Sequence, residues 1–388
     1  MARDSNPDKL IRIITSASSF DLINGQPRYL GCNGYEVVGV SGPPAELSAK
    51  AARKEGFRTI VVPNLVRPIS VGNDLKALFQ LIKIIREEKP LIVHANTPKA
   101  SLLGMVAAWW CRVPHRIYTV TGLRFETSTG LFRWLLVTME RITCACATKV
   151  IPEGDGVAET LRRNNITKKP LKKILNGNIN GIDLDHFNRT RDVIEKADQI
   201  VEKFGGVYRF VFVGRIVKDK GLIELVTAFE RFQEKYLDAR LFLVGKMEPE
   251  LDPLPKDILD IIKNNDGIIE AGWQDDVRPW LAASNALLFP SYREGFPNVV
   301  IQAGAMGLPS VVSDINGCNE IIIEGENGYV VPTHDAEALY ERMLCLVENK
   351  EKTEYMSQRA RPLIESRYKQ EDVWNALLNE YNSLIENK

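Results

Sequence analysis

The chain has 388 residues, 45% of them apolar and 26% charged, which is the balance of a globular protein and leaves room for two α/β cores. Its formal net charge is zero, yet residues 1–175 carry 26 Lys and Arg against 14 Asp and Glu, a net +12, and the remainder carries −12. A basic half joined to an acidic half points to an anionic partner for the first, such as a membrane surface or a lipid phosphate, and argues against nucleic acid, for which no binding module is present.

In chain order, the charged stretch Met1 to Lys9 leads into a strand-like segment and not into a signal peptide. Strands are predicted at Leu10 to Thr15, Glu36 to Val40, Thr59 to Val62, Leu91 to His94, Arg116 to Thr119 and Lys149 to Ile151. Between them run amphipathic helices such as Asp74 to Glu88, with Leu75, Leu78, Phe79, Ile82 and Ile85 at helical spacing. The longest apolar run, Leu102 to Cys111, is too short to span a bilayer. A cytoplasmic protein is therefore expected. Asn176 to Arg191, rich in Gly and Asn, reads as a hinge. A second series of strands follows at Phe210 to Val213, Leu241 to Val244, Ile268 to Ala271, Ala286 to Phe289, Ser310 to Val312 and Tyr329 to Val331. Strands alternating with helices imply parallel, doubly wound sheets. The expected fold is α/β with two facing Rossmann-like domains, residues 1–176 and 177–366. A last helical segment, 367–388, can return to the first. In such folds ligands bind where the strands' carboxyl ends face a cleft.

Six cysteines (Cys32, Cys111, Cys144, Cys146, Cys318, Cys345) and four histidines show neither metal nor disulfide spacing, and Cys144-Ala-Cys146 reads as core. Neither a metal nor a cofactor is expected.

Two loops carry candidate chemistry. The strand at Phe210 ends in Gly214-Arg215-Ile-Val-Lys218-Asp219-Lys220-Gly221, where Arg215 and Lys220 could converge and offset the charge of a leaving diphosphate. Equally, 218–220 could be a solvated turn. The strand at Ala286 runs into Tyr292-Arg293-Glu294-Gly295-Phe296-Pro297-Asn298, followed by a helix bearing Val299 and Gln302. Amide groups in the first turn of a helix lack internal partners and attract electron-rich groups; Gly295 admits close approach, Pro297 stiffens the entry, and Glu294 accepts hydrogen bonds from sugar hydroxyls. The alternative is an ordinary strand, turn and helix with a solvated Glu.

With these motifs in view the chain resembles the retaining, nucleotide-sugar-dependent family 4 glycosyltransferases of the GT-B architecture. The resemblance runs through Gly25-Gln26, His94-Ala-Asn-Thr-Pro-Lys-Ala, Asn176-Gly-Asn-Ile-Asn-Gly-Ile-Asp183 with Phe187, Gly214-Arg215 with Lys220-Gly221, Gly272-Trp273, Pro290-Ser291, Glu294-Gly-Phe-Pro297, Gly307-Leu-Pro309 and Gly325-Glu-Asn-Gly328. Within the family it is most similar to enzymes of bacterial capsule, O-antigen and lipid-linked oligosaccharide synthesis. The resemblance implies that Arg215 and Lys220 bind the donor diphosphate and that Glu294 contacts the transferred sugar. Backbone at Gly272 and Trp273 would meet the base, with Gly214 and the loop Phe296 to Val299 around sugar and phosphate. It implies a UDP-type donor, a hexose or N-acetylhexosamine, and a polyprenyl-diphosphate-linked or saccharide acceptor. The same cleft also serves a sugar-nucleotide epimerase or a non-catalytic partner subunit, two alternatives that stand beside transfer.

The chain departs from the family pattern at three places. Gln302 replaces the second Glu that holds ribose hydroxyls, and an amide still accepts and donates there. Thr121-Gly122 stands where many relatives place a histidine near the reacting sugar. Ser16-Ala-Ser18-Ser19 replaces a Gly-Gly pair. His94, at a strand end, reads either as a cleft residue near the acceptor or as a structural histidine.

Arg162, Arg163, Lys168, Lys169, Lys172 and Lys173 form a basic run without an acid between Leu161 and Leu175. Together with Trp109, Trp110, Phe132 and Trp134 they suggest peripheral docking on an anionic membrane, although such a run is usually a solvated face and such aromatics are usually core.

Overall fold

The computed structural model describes residues 7–250 and 252–386; residues 1–6 of the charged amino terminus lie outside the described residues. The chain divides into two compact units, Met1–Gly181 with Glu371–Lys388, and Ile182–Gln370.

The first unit is built on six parallel strands, β1 (Asp8–Ser16), β2 (Tyr35–Gly42), β3 (Arg58–Val61), β4 (Ile92–Ala95), β5 (His115–Val120) and β6 (Lys149–Pro152), in the order β3-β2-β1-β4-β5-β6. In the second unit β7 (Tyr208–Val213), β8 (Ala239–Val244), β9 (Ile268–Gly272), β10 (Ala286–Phe289), β11 (Ser310–Ser313) and β12 (Gly328–Val331) are parallel in the order β12-β11-β10-β7-β8-β9. Counted from its own first strand, each sheet has the same doubly wound order. Each therefore reverses direction beside that strand, between β1 and β4 and between β7 and β10.

Local sequence explains these elements. Leu10, Ile11, Ile13 and Ile14 of β1 are all buried, as expected for a strand covered on both faces. The Val71–Glu88 helix turns Ala77, Leu81 and Ile85, spaced by four, toward the sheet. That helix, Pro98–Trp110 and Gly130–Cys146 lie side by side on one face of the first sheet. The other face takes the last helix, Gln370–Glu386, whose Leu377 and Tyr381 pack with Leu10, Ile92, Ile117 and Ile151.

The Asn-rich stretch read as a hinge is tied into the first unit as far as Gly181, five residues past the expected boundary. Asn178 Oδ1 accepts from the amides of Asn180 (3.0 Å) and Gly181 (2.8 Å), and Ile179 O accepts from Gln26 Nε2 (3.1 Å). Within the second unit the Ile182 amide donates to Tyr368 O (2.8 Å) and the Gln370 amide to Ile182 O (3.2 Å), which holds the outgoing and returning chain together.

The six cysteines are free, with Cys144 buried. Among the described residues no helix is long and apolar enough to cross a membrane.

The basic run differs from its expected role. Lys169 Nζ donates to the carbonyls of Cys144, Ala145 and Ala147 and so caps the carboxyl end of the Gly130–Cys146 helix, where unpaired carbonyls attract a cation. Lys173 pairs with Asp155 (2.6 Å), and Arg162 and Arg163 with Glu159 (3.9 and 2.8 Å). Acids upstream of the run neutralise much of it. By contrast Trp109, Trp110, Phe132 and Trp134 are all exposed.

Candidate functional site

In the second unit the loops after β7 and β10 meet at the switch point. Gly221 makes this possible: it has φ +72°, and a Cβ there would lie 1.9 Å from Pro290 O. The short turn Lys218–Lys220 is thereby pressed against the end of β10, and the Tyr292 amide donates to Asp219 O (2.9 Å). Lys220 Nζ makes an ion pair with Glu294 Oε1, which also accepts from Ser291 Oγ (3.1 Å). Both charged side chains are mostly buried, 13% and 19% exposed, so their attraction is little screened. A second pair, Arg293 to Asp219 (3.3 Å), staples the same two loops.

Arg215, at the tip of β7, has a different partner. Its guanidinium lies 3.5 Å from Glu248 Oε2, in the loop after β8, and is 43% exposed. Gly214 sits beneath this loop: a Cβ on Gly245 would meet Gly214 O at 1.7 Å. Lys220 and Glu294 are thus in direct contact, whereas the Arg215 guanidinium, expected to converge with Lys220, is held by an acid that sequence reasoning did not single out. An acid three residues past a strand's Gly terminus was the available signal.

Below Glu294, Gly295 is buried, and Gly317 (φ +76°) could not carry a Cβ without striking Gly295 O at 2.6 Å. The Phe296 ring is buried and packs edge-on against Tyr368 at 5.6 Å, which leaves its backbone for a ligand. Pro297 precedes the Asn298–Ala305 helix and provides no side-chain cap. Asn298 is exposed, and Val299 and Gln302 are half-buried. Gly272 (φ +67°) and Trp273 close β9, the edge strand. β9 lies two strands, about 10 Å, from β7. The Trp273 indole is 73% exposed and donates to Asp275 Oδ1 (3.2 Å).

One cluster was missed entirely. Tyr292 OH donates to Glu224 Oε2 (2.5 Å), His334 Nδ1 lies 3.6 Å from Glu224 Oε1, and the Tyr292 and His334 rings are 3.7 Å apart. Burial and Glu224 push the Tyr292 phenol up, which keeps it a donor. These residues come from the Leu222–Lys235 helix and from two separate loops, and nothing local in the sequence links them.

In the first unit His94 is a buried, hydrogen-bonded histidine, the second of its two readings. Its side chain is buried, with Nδ1 2.5 Å from Tyr381 OH and Nε2 2.7 Å from Thr119 Oγ1. Desolvation, and then Arg12, hold it well below its ordinary pKa and therefore neutral. Arg12 in turn donates to Asn96 Oδ1 (2.8 Å), Tyr381 OH (3.2 Å) and Gln26 Oε1. Thr121 Oγ1 donates to Asn96 O (2.9 Å) and is half-buried; Gly122 is buried with φ +116°. Among the described residues no group of three His, Cys, Asp or Glu is arranged to hold a metal.

Comparison with known proteins gives two family models. One, described as glycosyl transferases group 1, matches residues 207–349; the other, a glycosyl transferase 4-like domain, matches residues 28–177. The capsular polysaccharide biosynthesis glycosyltransferase CapM of Staphylococcus aureus is 30% identical over 378 residues, 97% of each chain. The Escherichia coli UDP-Gal:alpha-D-GlcNAc-diphosphoundecaprenol alpha-1,3-galactosyltransferase is 28% identical over 307 residues, 76% of each chain. Among solved structures, Anabaena HepE in complex with UDP and glucose superimposes with a TM-score of 0.80 at 17% identity, over 97% of this chain and 100% of that one.

Proposed function

Because the chain belongs to the family 4 glycosyltransferases of the GT-B architecture, we propose that it moves a hexose or N-acetylhexosamine from a UDP-type donor to a polyprenyl-diphosphate-linked or saccharide acceptor in bacterial surface polysaccharide synthesis. The carrying observation is the Lys220–Glu294 pair, with Ser291, at the β7/β10 switch point. The names of the Escherichia coli relative and of a Campylobacter jejuni relative, 25% identical over 313 residues, both describe diphospho-undecaprenol acceptors, which supports the lipid-linked class.

In this reading Lys220 and Arg215 offset the charge that grows on the donor diphosphate as the sugar's C1–O bond breaks. Glu294 orients the sugar through its hydroxyls, and Lys220 positions Glu294 before the donor arrives. Backbone from Phe296 to Val299 lies along sugar and phosphate. Gln302 takes the ribose, and Gly272 the base. The acceptor oxygen attacks C1 on the face that the diphosphate leaves, and the departing phosphate oxygen takes the acceptor's proton. UDP and a glycoside of retained configuration result, and neither a metal nor a cofactor takes part in the step. A polyprenyl-linked acceptor is anchored in a bilayer, so on that acceptor the protein works peripherally at its cytoplasmic face.

Incubating the protein with a panel of nucleotide sugars and a short-chain polyprenyl-diphosphate sugar tests the reading. Transfer with retained anomeric configuration by NMR is expected, and the Lys220→Ala variant should lose about two to three orders of magnitude in kcat. Inverted product, or turnover unaffected by Lys220→Ala, would reject the mechanism.

A further inference from the structure

Three cations on the loops around the β7/β10 switch point are each paired with a carboxylate of the same unit: Lys220 with Glu294, Arg293 with Asp219 and Arg215 with Glu248. The remaining cations of these loops, Lys218 and Lys246, are exposed, and water screens them. An anion drawn to the paired cations must compete with the protein's own acids. The three pairs are not equally firm. Glu294 is in close contact with Lys220 and also accepts from Ser291 Oγ, and both charged groups are mostly buried. Arg293 donates to Asp219 (3.3 Å), again with both side chains mostly buried. Arg215 and Glu248 approach only to 3.5 Å, beyond the reach of a charge-assisted hydrogen bond of about 2.7–2.9 Å, and the guanidinium is 43% exposed. Glu248 Oε2 is buried and has no hydrogen-bond partner among the described residues. Of the three pairs, this one opens most readily.

Its two members differ in freedom. Backbone fixes the acid: the Ile216 amide donates to Lys246 O (2.9 Å), Ile216 and Met247 form a parallel bridge, and Gly245 lies so close to Gly214 that a Cβ would strike its carbonyl oxygen. Glu248 follows directly after that bridge. Arg215 reaches it through a long side chain open to solvent, and its planar fork fits two phosphate oxygens at once better than this single contact through Nη1. When a diphosphate takes the guanidinium, Arg215 is the partner that moves. Glu248 then keeps a buried oxygen without its cation, which weakens the binding of any anion that claims Arg215.

We propose that Glu248 is a positioning residue that sets nucleotide affinity: it competes with the diphosphate for Arg215 and takes Arg215 back as UDP leaves. The assignment rests on the nucleotide-sugar reading of this site and adds to it the residue that governs release. A site with both of its diphosphate cations free would hold product tightly, and product release limits turnover in many enzymes. Lys220 stays with Glu294 throughout, so the sugar-orienting carboxylate is undisturbed by the exchange.

Isothermal titration of the full chain with UDP tests it. Glu248→Gln keeps the side chain's shape, removes its charge, and should lower the Kd by about ten-fold. Glu250→Gln, at an exposed acid two positions on, makes the same change in net charge and should leave the Kd within about two-fold. In an Arg215→Ala background Glu248→Gln should bring no gain, because nothing remains to compete for. With a nucleotide sugar as donor, Glu248→Gln should show a lower donor KM and stronger inhibition by UDP. Damage to the fold cannot imitate these results, since it would weaken binding. An unchanged or higher Kd in Glu248→Gln overturns the proposal. So does a gain that persists without Arg215, which would mark simple repulsion of the anion. If the parent binds UDP and only the gain is missing, the functional reading stands; if the parent binds no nucleotide, that reading fails and this assignment fails with it.

Discussion

At the scale of single residues, the second unit invests several side chains in fixing Glu294. Tyr292, two positions before it, is clamped by Glu224 and packs at a tilt against His334, so the loop has little freedom before any donor binds. Tyr292→Phe keeps the ring contact with His334 but leaves Glu224 without its phenol partner. A stability loss of about 1–2 kcal/mol by urea denaturation is expected, with kcat falling more than KM rises, since the brace positions a group and does not bind substrate itself. A different signature comes from Glu140, whose carboxyl is desolvated beside Tyr118 and raised to about 7 from 4.5. Its folded-state value lies above its unfolded one. The stabilisation it contributes is therefore complete below pH 4.5 and is lost as pH rises through about 7. Glu140→Gln should flatten that part of the stability profile, which thermal melts across the interval would show. Several of these partnerships escape sequence reasoning because the partner lies far along the chain: Lys220 and Glu294 are 74 residues apart, and His94 meets Tyr381 across 287.

At the scale of elements, the site depends on loops lying against strand ends, and glycine permits it. Gly221 is the sharpest case, having both a left-handed φ and no room for a Cβ against Pro290 O. Gly221→Ala should cost about 2–4 kcal/mol in stability, and it should separate Lys220 from Glu294 so that activity falls beyond what the lost folded fraction explains. Activity that tracks folded fraction alone would show that the loops remain docked. The elements themselves were legible. Runs of β-branched residues between amphipathic segments give both sheets, because burial on two faces leaves a continuous apolar signature in the strand. Which flank of a helix stays bare was not legible. The spacing of Leu131, Leu135 and Ile142 would equally serve a core, and only the neighbouring layers decide that nothing described covers them.

At the scale of the whole molecule, the chain's last helix completes its first unit. Leu377 and Tyr381 cover one face of the first sheet, and Tyr381 OH lies between His94 and Arg12. Removing Glu371–Lys388 should therefore destabilise the unit made mostly of residues 1–181 and leave Ile182–Gln370 folded; hydrogen exchange resolved by peptide would show protection lost selectively in β1, β4 and β5. Deletion without that loss would deny the helix its role. Local periodicity, and residue types with few alternative uses, sufficed to reveal the α/β class, the doubly wound pair of sheets, the split of charge, and the Gly-rich loops bearing Arg215, Lys220 and Glu294. Tertiary structure alone decided which charged groups meet. It gave Lys220 to Glu294 and Arg215 to Glu248, spent His94 and Phe296 on the core, and turned Lys169 into a helix cap. Partner choice is settled by the packing of distant segments and by the cost of burying an unpaired polar group, neither of which is written in any local stretch of sequence.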